Sequence, residues 1–353
     1  MRPISTPFFL VFLALTSQFT FAQNAFQDAF KTTSRPLQEN IQIPFTDASG
    51  NSGHLPIVLL RGSTAGPVFT IVGGVHGFEY PPIVGIQELL QEIEVTQLKG
   101  TLIVIPIANV ASFYTRTPYV NPQDGINLNT AFPGDAQSTI TQQLAHFITE
   151  NIIPVSDVFL DIHGGDACED LIPFVCYYNN TNKSEQTTLA KTLSAASGFK
   201  YVVSYPYTIT DEEPAKYAFK QAVQDGKTAL SFEAGKLGNV QEEAVQLIKT
   251  GMYNLLQEMN MYNQGRKDTI ERVYLNHQTY IRSKAGGIFY SSYKAGDTVK
   301  EGDLVGHTTD EFGKRLEEYR APNSGIILYK LATPPINQGD TVMCISTRKE
   351  EKD

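Results

Sequence analysis

His76 and Glu79 stand three residues apart in Gly73-Gly74-Val75-His76-Gly77-Phe78-Glu79, directly after the apolar run Pro67-Val68-Phe69-Thr70-Ile71-Val72. Imidazole and carboxylate are both competent zinc ligands, and a glycine-rich turn at a strand end can aim both the same way. Taken alone, the pair is also what a capping glutamate beside an ordinary polar histidine looks like. A second histidine, His163, closes the apolar run Phe159-Leu160-Asp161-Ile162-His163 and is again followed by glycines, Gly164 and Gly165. Two of the six histidines thus fall at strand ends, where open α/β sheets bind their ligands. A catalytic zinc takes three protein groups and keeps a fourth position for water. His76, Glu79 and His163 are therefore the candidate ligands for one Zn2+ per chain. His54, His146, His277 and His307 lack this context and read as surface or packing residues.

A water activated by zinc also needs a proton acceptor, commonly a carboxylate. Glu233 ends a third apolar run, Ala229-Leu230-Ser231-Phe232-Glu233, and precedes Ala234-Gly235. The repeated pattern makes it the candidate general base rather than a residue that merely caps the next helix. Asp161, two residues before His163, can orient an imidazole or cap a turn.

The elements that must position these groups alternate. Ile41-Gln42-Ile43 and His54–Leu60, separated by Asp47-Ala48-Ser49-Gly50-Asn51, read as a hairpin. Pro81-Pro82 suits a helix start, and Ile83, Ile86, Leu90 and Ile93 continue it at helical spacing. Leu102–Ile105, Val158–Leu160 and Thr228–Phe232 read as strands; Ile140–Ile148, Ala215–Val223 and Val240–Met261 read as helices. Alternating strands and helices predict an α/β sheet covered on both faces. From about residue 270 short strands punctuated by Gly-Asp and Asn-Ser-Gly turns take over, and the change falls near Asn263-Gln264-Gly265-Arg266. That places a 23–265 catalytic domain before a 266–353 all-β domain.

Four segments together carry a resemblance: Gly73–Glu79, Asn127-Leu128-Asn129-Thr130-Ala131-Phe132-Pro133-Gly134, Asp161-Ile162-His163 and Glu233-Ala234-Gly235. In order and spacing they resemble the succinylglutamate desuccinylase and aspartoacylase family, relatives of the zinc carboxypeptidases. The resemblance implies a zinc-carboxypeptidase-like mixed sheet flanked by helices, followed by a small barrel-sandwich β domain similar to lipoyl and biotinyl carriers. It implies zinc ligation by His76, Glu79 and His163, catalysis by Glu233, and an oxyanion contact from Arg116. It also implies substrate contacts at Asn129 and at position 130. Thr130 departs from the pattern, because the family usually has an arginine there to grip a substrate carboxylate.

Composition narrows the partners. Charged residues are 18% of the 353 and hydrophobic residues 41%, so a folded core is available. A formal net charge of −9 argues against nucleic acid, whose phosphates demand clustered cations. The first 22 residues carry Arg2, the apolar run Phe8–Leu15 and small residues before Gln23, the order of a secretory signal peptide. That run is shorter than the roughly 20 residues a membrane span needs. The mature chain is thus expected to be periplasmic or secreted, with no membrane span. Cys168 and Cys176 are close enough in sequence to bridge a short loop in an oxidising compartment, or can be buried thiols, as can Cys344. Homo-oligomer formation stays open.

The expected activity is zinc-dependent deacylation of an N-acyl amino acid or related small molecule. A zinc carboxypeptidase-like peptidase acting on peptides or cell-wall stems is one alternative, and a non-catalytic exported metal-binding protein another. The signal peptide has its own test: N-terminal mass spectrometry of the exported protein should find Gln23 first, and retention of Met1 in a membrane fraction refutes the assignment.

Overall fold

The computed structural model describes residues 25–265 and 270–349. The expected signal peptide and Arg266 lie outside them. In chain order the elements begin with a helix over residues 25–31 (α1), strands β1 (Leu37–Thr46), β2 (Ser52–Arg61) and β3 (Thr64–Gly73), and helix α2 (Tyr80–Glu92). Next come β4 (Lys99–Ile105), α3 (Val110–Thr115), α4 (Ile140–Phe147), β5 (Val158–His163), β6 (Glu169–Leu171) and β7 (Phe174–Asn179). Helix α5 (Ser184–Ala196), β8 (Tyr201–Pro206), α6 (Ala218–Gln224), β9 (Thr228–Glu233) and α7 (Glu242–Glu258) follow. The last stretch is all strand: β10 (Val273–Arg282), β11 (Gly287–Tyr290), β12 (Thr298–Val299), β13 (Leu304–Thr309), β14 (Arg315–Arg320), β15 (Gly325–Leu331), β16 (Pro335–Ile336) and β17 (Thr341–Arg348).

The chain packs as two compact units, each assembled from separated segments. The first takes the residues up to Gly77, Ile93–Phe159 and Asp211–Lys227. Its strands run in the order β1-β2-β4-β3, with β1, β2 and β4 antiparallel and β3 parallel to β4. Ile41, Ile43 and Phe45 are buried while their neighbours face out, the period-two pattern of a half-covered strand. Asp47 closes the β1–β2 hairpin as a side-chain acceptor: Oδ1 takes the Ser49 and Asn51 amides at 2.9 and 3.0 Å. Its Oδ2 accepts the Ile140 amide at 3.2 Å, which ties the hairpin to the start of α4.

The second unit takes Phe78–Glu92, Leu160–Thr210 and Thr228–Asp353. Its mixed sheet has the order β5-β9-β7-β8-β10-β17-β15-β12, with β6 beside β15. Every residue of β5 is buried, as are all but the last of β7 and β9, because this part of the sheet is covered on both faces. Helices α2, α5 and α7 form the covering layers. At Gly85 a Cβ would sit 3.2 Å from Ile248 Cγ2, so the missing side chain lets α2 and α7 approach closely. Pro81 and Pro82 occupy the first turn of α2, where the amides would be unpaired anyway.

The change of element type near residue 265 is present, but it is not a break in the sheet. Strand β10 pairs in parallel with β8, Val273 opposite Tyr201 and Leu275 opposite Val203. Strands β10, β17, β15 and β12 therefore extend the mixed sheet, while β14, β13, β11 and β16 make a separate antiparallel sheet. A core of Phe289, Val305, Tyr319, Ile327, Val342 and Met343 fills this region. The Cys168–Cys176 bridge, the pairing considered from sequence, is absent: no disulfide joins any of the three cysteines. Cys176 is fixed in β7 opposite Ser231. Cys168 instead packs against the C-terminal core, and its carbonyl accepts the Ala332 amide at 2.8 Å.

The α7 face offers a direct test of this packing. A Cβ on Gly251 would fall 2.7 Å from Phe232 Cε2, a ring already packed against Phe199 at 4.6 Å between centroids. Gly251→Leu should cost about 1–3 kcal/mol through overpacking, read as a lower denaturant midpoint; an unchanged midpoint would show that the helix shifts freely.

Candidate active site

The three sequence-selected ligands come together. His76, Glu79 and His163 are buried, and each offers one ligand atom, all within 4.8 Å of one another. Two backbone features bring this about locally. Strand β3 ends at Gly73, and a Cβ on Gly77 would lie 2.1 Å from the Phe113 amide nitrogen, so only glycine lets the turn press against α3. The Gly77 amide donates to Ser112 Oγ at 3.2 Å, which fixes that approach. At the end of β9, Gly235 has φ +100 and leaves room for Pro81 of α2, whose Cγ a Cβ would meet at 2.5 Å.

The His76 ring is oriented from the Asn127–Thr130 segment. Asn127 Oδ1 accepts the Asn129 amide at 2.8 Å and lies 3.0 Å from His76 Nε2. A carbonyl oxygen can only accept, so Nε2 carries the proton and Nδ1 keeps its lone pair for a ligand. Tyr119 packs edge-on against the same ring at 5.8 Å. The segment itself is anchored at Asp124, which accepts both the amide and hydroxyl of Thr141 at 2.9 Å.

His163 sits between two carboxylates. Its Nδ1 is 3.1 Å from Glu79 Oε2 and its Nε2 is 3.2 Å from Asp161 Oδ1. Glu79 Oε2 also accepts the Gly164 amide at 3.1 Å. Burial alone would depress the imidazole's pKa, but the charges of Asp161 and then Glu79 reverse the sign and hold it well above the ordinary histidine value. Glu233 follows on the neighbouring strand, where the Ala234 amide donates to the His163 carbonyl at 3.0 Å. Burial pushes the Glu233 carboxyl well above the usual carboxylate range; His163 opposes the shift, while Glu79, Glu169 and Asp161 add to it.

The bare arrangement is short of positive charge. Asp161 is fully buried; its Oδ1 faces His163 Nε2, and its Oδ2 has no hydrogen-bond partner among the described residues. Two carboxylates thus flank one imidazole and a third, Glu233, interacts with its charge; a divalent cation would offset much of that negative charge. The donor set of two imidazoles and one carboxylate suits Zn2+.

The remaining candidates lie in the first unit. Arg116 is the left-handed cap of α3, with φ 53 and an exposed side chain. Asn129 has a buried Oδ1 without a hydrogen-bond partner among the described residues. The Thr130 hydroxyl is used locally, donating to the Asn127 carbonyl at 2.9 Å. Asn127 and Tyr119 were not singled out from sequence. The repeated Asn-Leu-Asn was the available signal for the first, and nothing in the sequence marked the second.

The family assignment rests on comparison as well as geometry. The sequence model of the succinylglutamate desuccinylase/aspartoacylase catalytic domain matches residues 65–259, and the chain belongs to this family. A curated relative, the N-α-acetyl-L-2,4-diaminobutyric acid deacetylase of Halomonas elongata, is 28% identical over 300 residues, 83% of this chain and 85% of the relative. Among solved structures, a succinylglutamate desuccinylase from Silicibacter sp. TM1040 superposes with a TM-score of 0.78 at 26% identity, covering 90% of this chain and 98% of that one. The product-bound ectoine utilization protein of Ruegeria pomeroyi shares the fold, with a TM-score of 0.78 at 24% identity over 88% and 95% of the two chains.

If Asn127 sets the His76 tautomer, Asn127→Ala should weaken zinc binding about 10–100-fold, the usual effect of losing a partner that orients a ligand. Calorimetric titration of the metal-free protein measures this, and wild-type affinity in the variant would remove Asn127 from the site.

Proposed function

We propose that this chain is a zinc-dependent deacylase that hydrolyses the amide bond of an N-acyl amino acid or a related acylated small molecule. The observation that carries the reading is the His76–Glu79–His163 donor cluster with Glu233 on the strand beside His163. The deacetylase relative, aligned over most of both chains, supports amide-bond hydrolysis. Three protein donors, rather than the four of a structural site, favour catalysis over a purely structural metal.

In this reading His76, Glu79 and His163 hold the ion. When bound, zinc would supply Lewis acidity and lower the pKa of water towards about 7. Glu233 takes the proton of the attacking water and later returns it to the leaving amine. Its place at the end of β9, on the strand beside the one that His163 closes, suits both halves of that task. Arg116, exposed and always charged, stabilises the oxyanion that develops on the scissile carbonyl. The Asn129 side-chain amide contacts substrate. The Arg2–Ala22 pattern supports export to the periplasm or medium.

Purified protein should hold one zinc per chain by elemental analysis, and His76→Ala or His163→Ala should lose it; full occupancy in both variants sinks the site. Glu233→Gln should keep zinc and fold while turnover of N-α-acetyl-L-2,4-diaminobutyric acid falls about 10²–10⁴-fold, the usual worth of a general base. Wild-type turnover in that variant would exclude Glu233 as the base.

A further inference from the structure

Two loops of the second unit, one following His163 and the other following Glu233, are sewn together by their backbones. The Ala234 amide donates to the His163 carbonyl at 3.0 Å and the Gly165 amide to the Gly235 carbonyl at 2.8 Å. Further along, the Leu237 amide donates to the Glu169 carbonyl at 2.9 Å and the Gly238 amide to the Gly165 carbonyl at 3.2 Å. Gln241 clamps the second loop as well: its Oε1 accepts the Lys236 amide at 3.0 Å and its Nε2 donates to the Lys236 carbonyl at 2.9 Å.

Within this frame the chain turns through a conformation that L-residues rarely take. Leu237 has φ 58 and Gly238 has φ 52, two consecutive residues in the left-handed region. Glycine enters it freely, but a leucine does so under strain. The Leu237 side chain is 42% exposed, so its burial does not account for the strain. The hydrogen bonds from its own amide and from the next one hold it there. Strain kept in this way marks positions where geometry is used.

The turn brings the bare Cα of Gly238 against Phe78. A Cβ at position 238 would lie 2.0 Å from Phe78 Cε1 and 2.3 Å from Cδ1, with Ala167 Cα at 3.3 Å. The Phe78 ring thus fills the space that any other residue at 238 would claim. Tyr80 packs against the same ring, 5.3 Å between centroids. Phe78 immediately precedes Glu79, and neighbouring Cα atoms are about 3.8 Å apart, so the seat of the ring constrains the backbone of Glu79. At the far end of that side chain, Oε2 accepts the Gly164 amide and faces His163 Nδ1, both at 3.1 Å. Contacts of that length leave little slack for a shifted backbone.

We propose that Gly238 is a positioning residue of the metal site: its missing side chain is the socket for the Phe78 ring, and the seated ring sets the Glu79 carboxylate opposite His163. The proposal rests on the zinc reading of the site and adds a residue to it that touches no ligand itself. The loop after the proposed base thereby fixes the place of a proposed ligand, and one turn serves both.

Calorimetric zinc titration of the metal-free protein tests the socket. Gly238→Ala should weaken zinc binding about tenfold or more, the scale expected when a group that orients a ligand is displaced. Phe78→Val, which removes the ring atoms that crowd position 238, should weaken it as well by emptying the socket. Combined, the two changes fit each other, and the double variant should bind zinc more tightly than Gly238→Ala alone. Melting temperature separates this effect from backbone strain, because an alanine at φ 52 lowers stability in the single and the double variant alike. A lower melting temperature with wild-type zinc affinity, or losses that simply add in the double variant, overturns the proposal and leaves the zinc reading standing. Absence of zinc binding by the wild type overturns the zinc reading instead. In that event the imidazole nitrogen resonances of His163, read by NMR in the metal-free protein, decide the matter: a displacement in Gly238→Ala that Phe78→Val reverses supports the socket, and unchanged resonances overturn it.

Discussion

The charge imbalance around His163 is the constraint to which the second unit is built. Glu79 and Asp161 flank one imidazole in the interior, and Glu233 adds a third carboxyl from the next strand. Buried charge of one sign is costly unless it is paired. Without a cation, the Asp161 and Glu79 charges favour the protonated His163 imidazole, while burial and the neighbouring carboxylates push the Glu233 carboxyl above its usual range. In the proposed reading, a dication held by His76, Glu79 and His163 would offset much of this charge, and Glu233 would exchange a proton with the reactant. The groups that make the metal-free protein electrostatically uncomfortable are thus the groups the proposed chemistry uses.

Holding those groups in place falls to rigid elements. His163 and Glu233 close two neighbouring strands whose backbones are hydrogen-bonded to each other, and Glu79 stands immediately before α2. Their relative positions are therefore set by strand register and by the seating of α2, which Gly85 lets lie close to α7. On the side of His76 the same work is done by a chain of acceptors: Asp124 anchors the segment, and Asn127 orients the ring. Groups on strand ends with fixed partners move less than groups on free loops, which suits the metal site proposed for them.

Much of this was legible from sequence for an identifiable reason. Apolar runs that end in a charged or imidazole residue and a glycine leave a local signature, and His76, His163 and Glu233 each carry it. The hairpin, α2 and α7 were likewise visible through turn residues, Pro81-Pro82 and helical spacing. What escaped depends on pairings distant in sequence. Nothing in the run after residue 270 signals that β10 will lie beside β8, because register partners are chosen by the sheet and not by the strand alone. The role of Asn127 and the seat of Phe78 on Gly238 were hidden in the same way. Short-range spacing suggested a link between Cys168 and Cys176, but β6 between them pairs with β15 and commits the two cysteines to different surroundings.

The parallel β8–β10 pairing carries a consequence for how this chain can change over time. A domain joined through a linker can be lost or exchanged with little effect on its neighbour. Here, removing everything after residue 265 would strip β8 of its partner on the side away from β7 and leave the hydrogen-bonding groups of that edge bare. Such an edge recruits strands from other molecules and invites aggregation. The β-rich terminus is in this sense a lateral seal on the catalytic sheet, and insertions or substitutions should accumulate in the separate four-stranded sheet sooner than in β10.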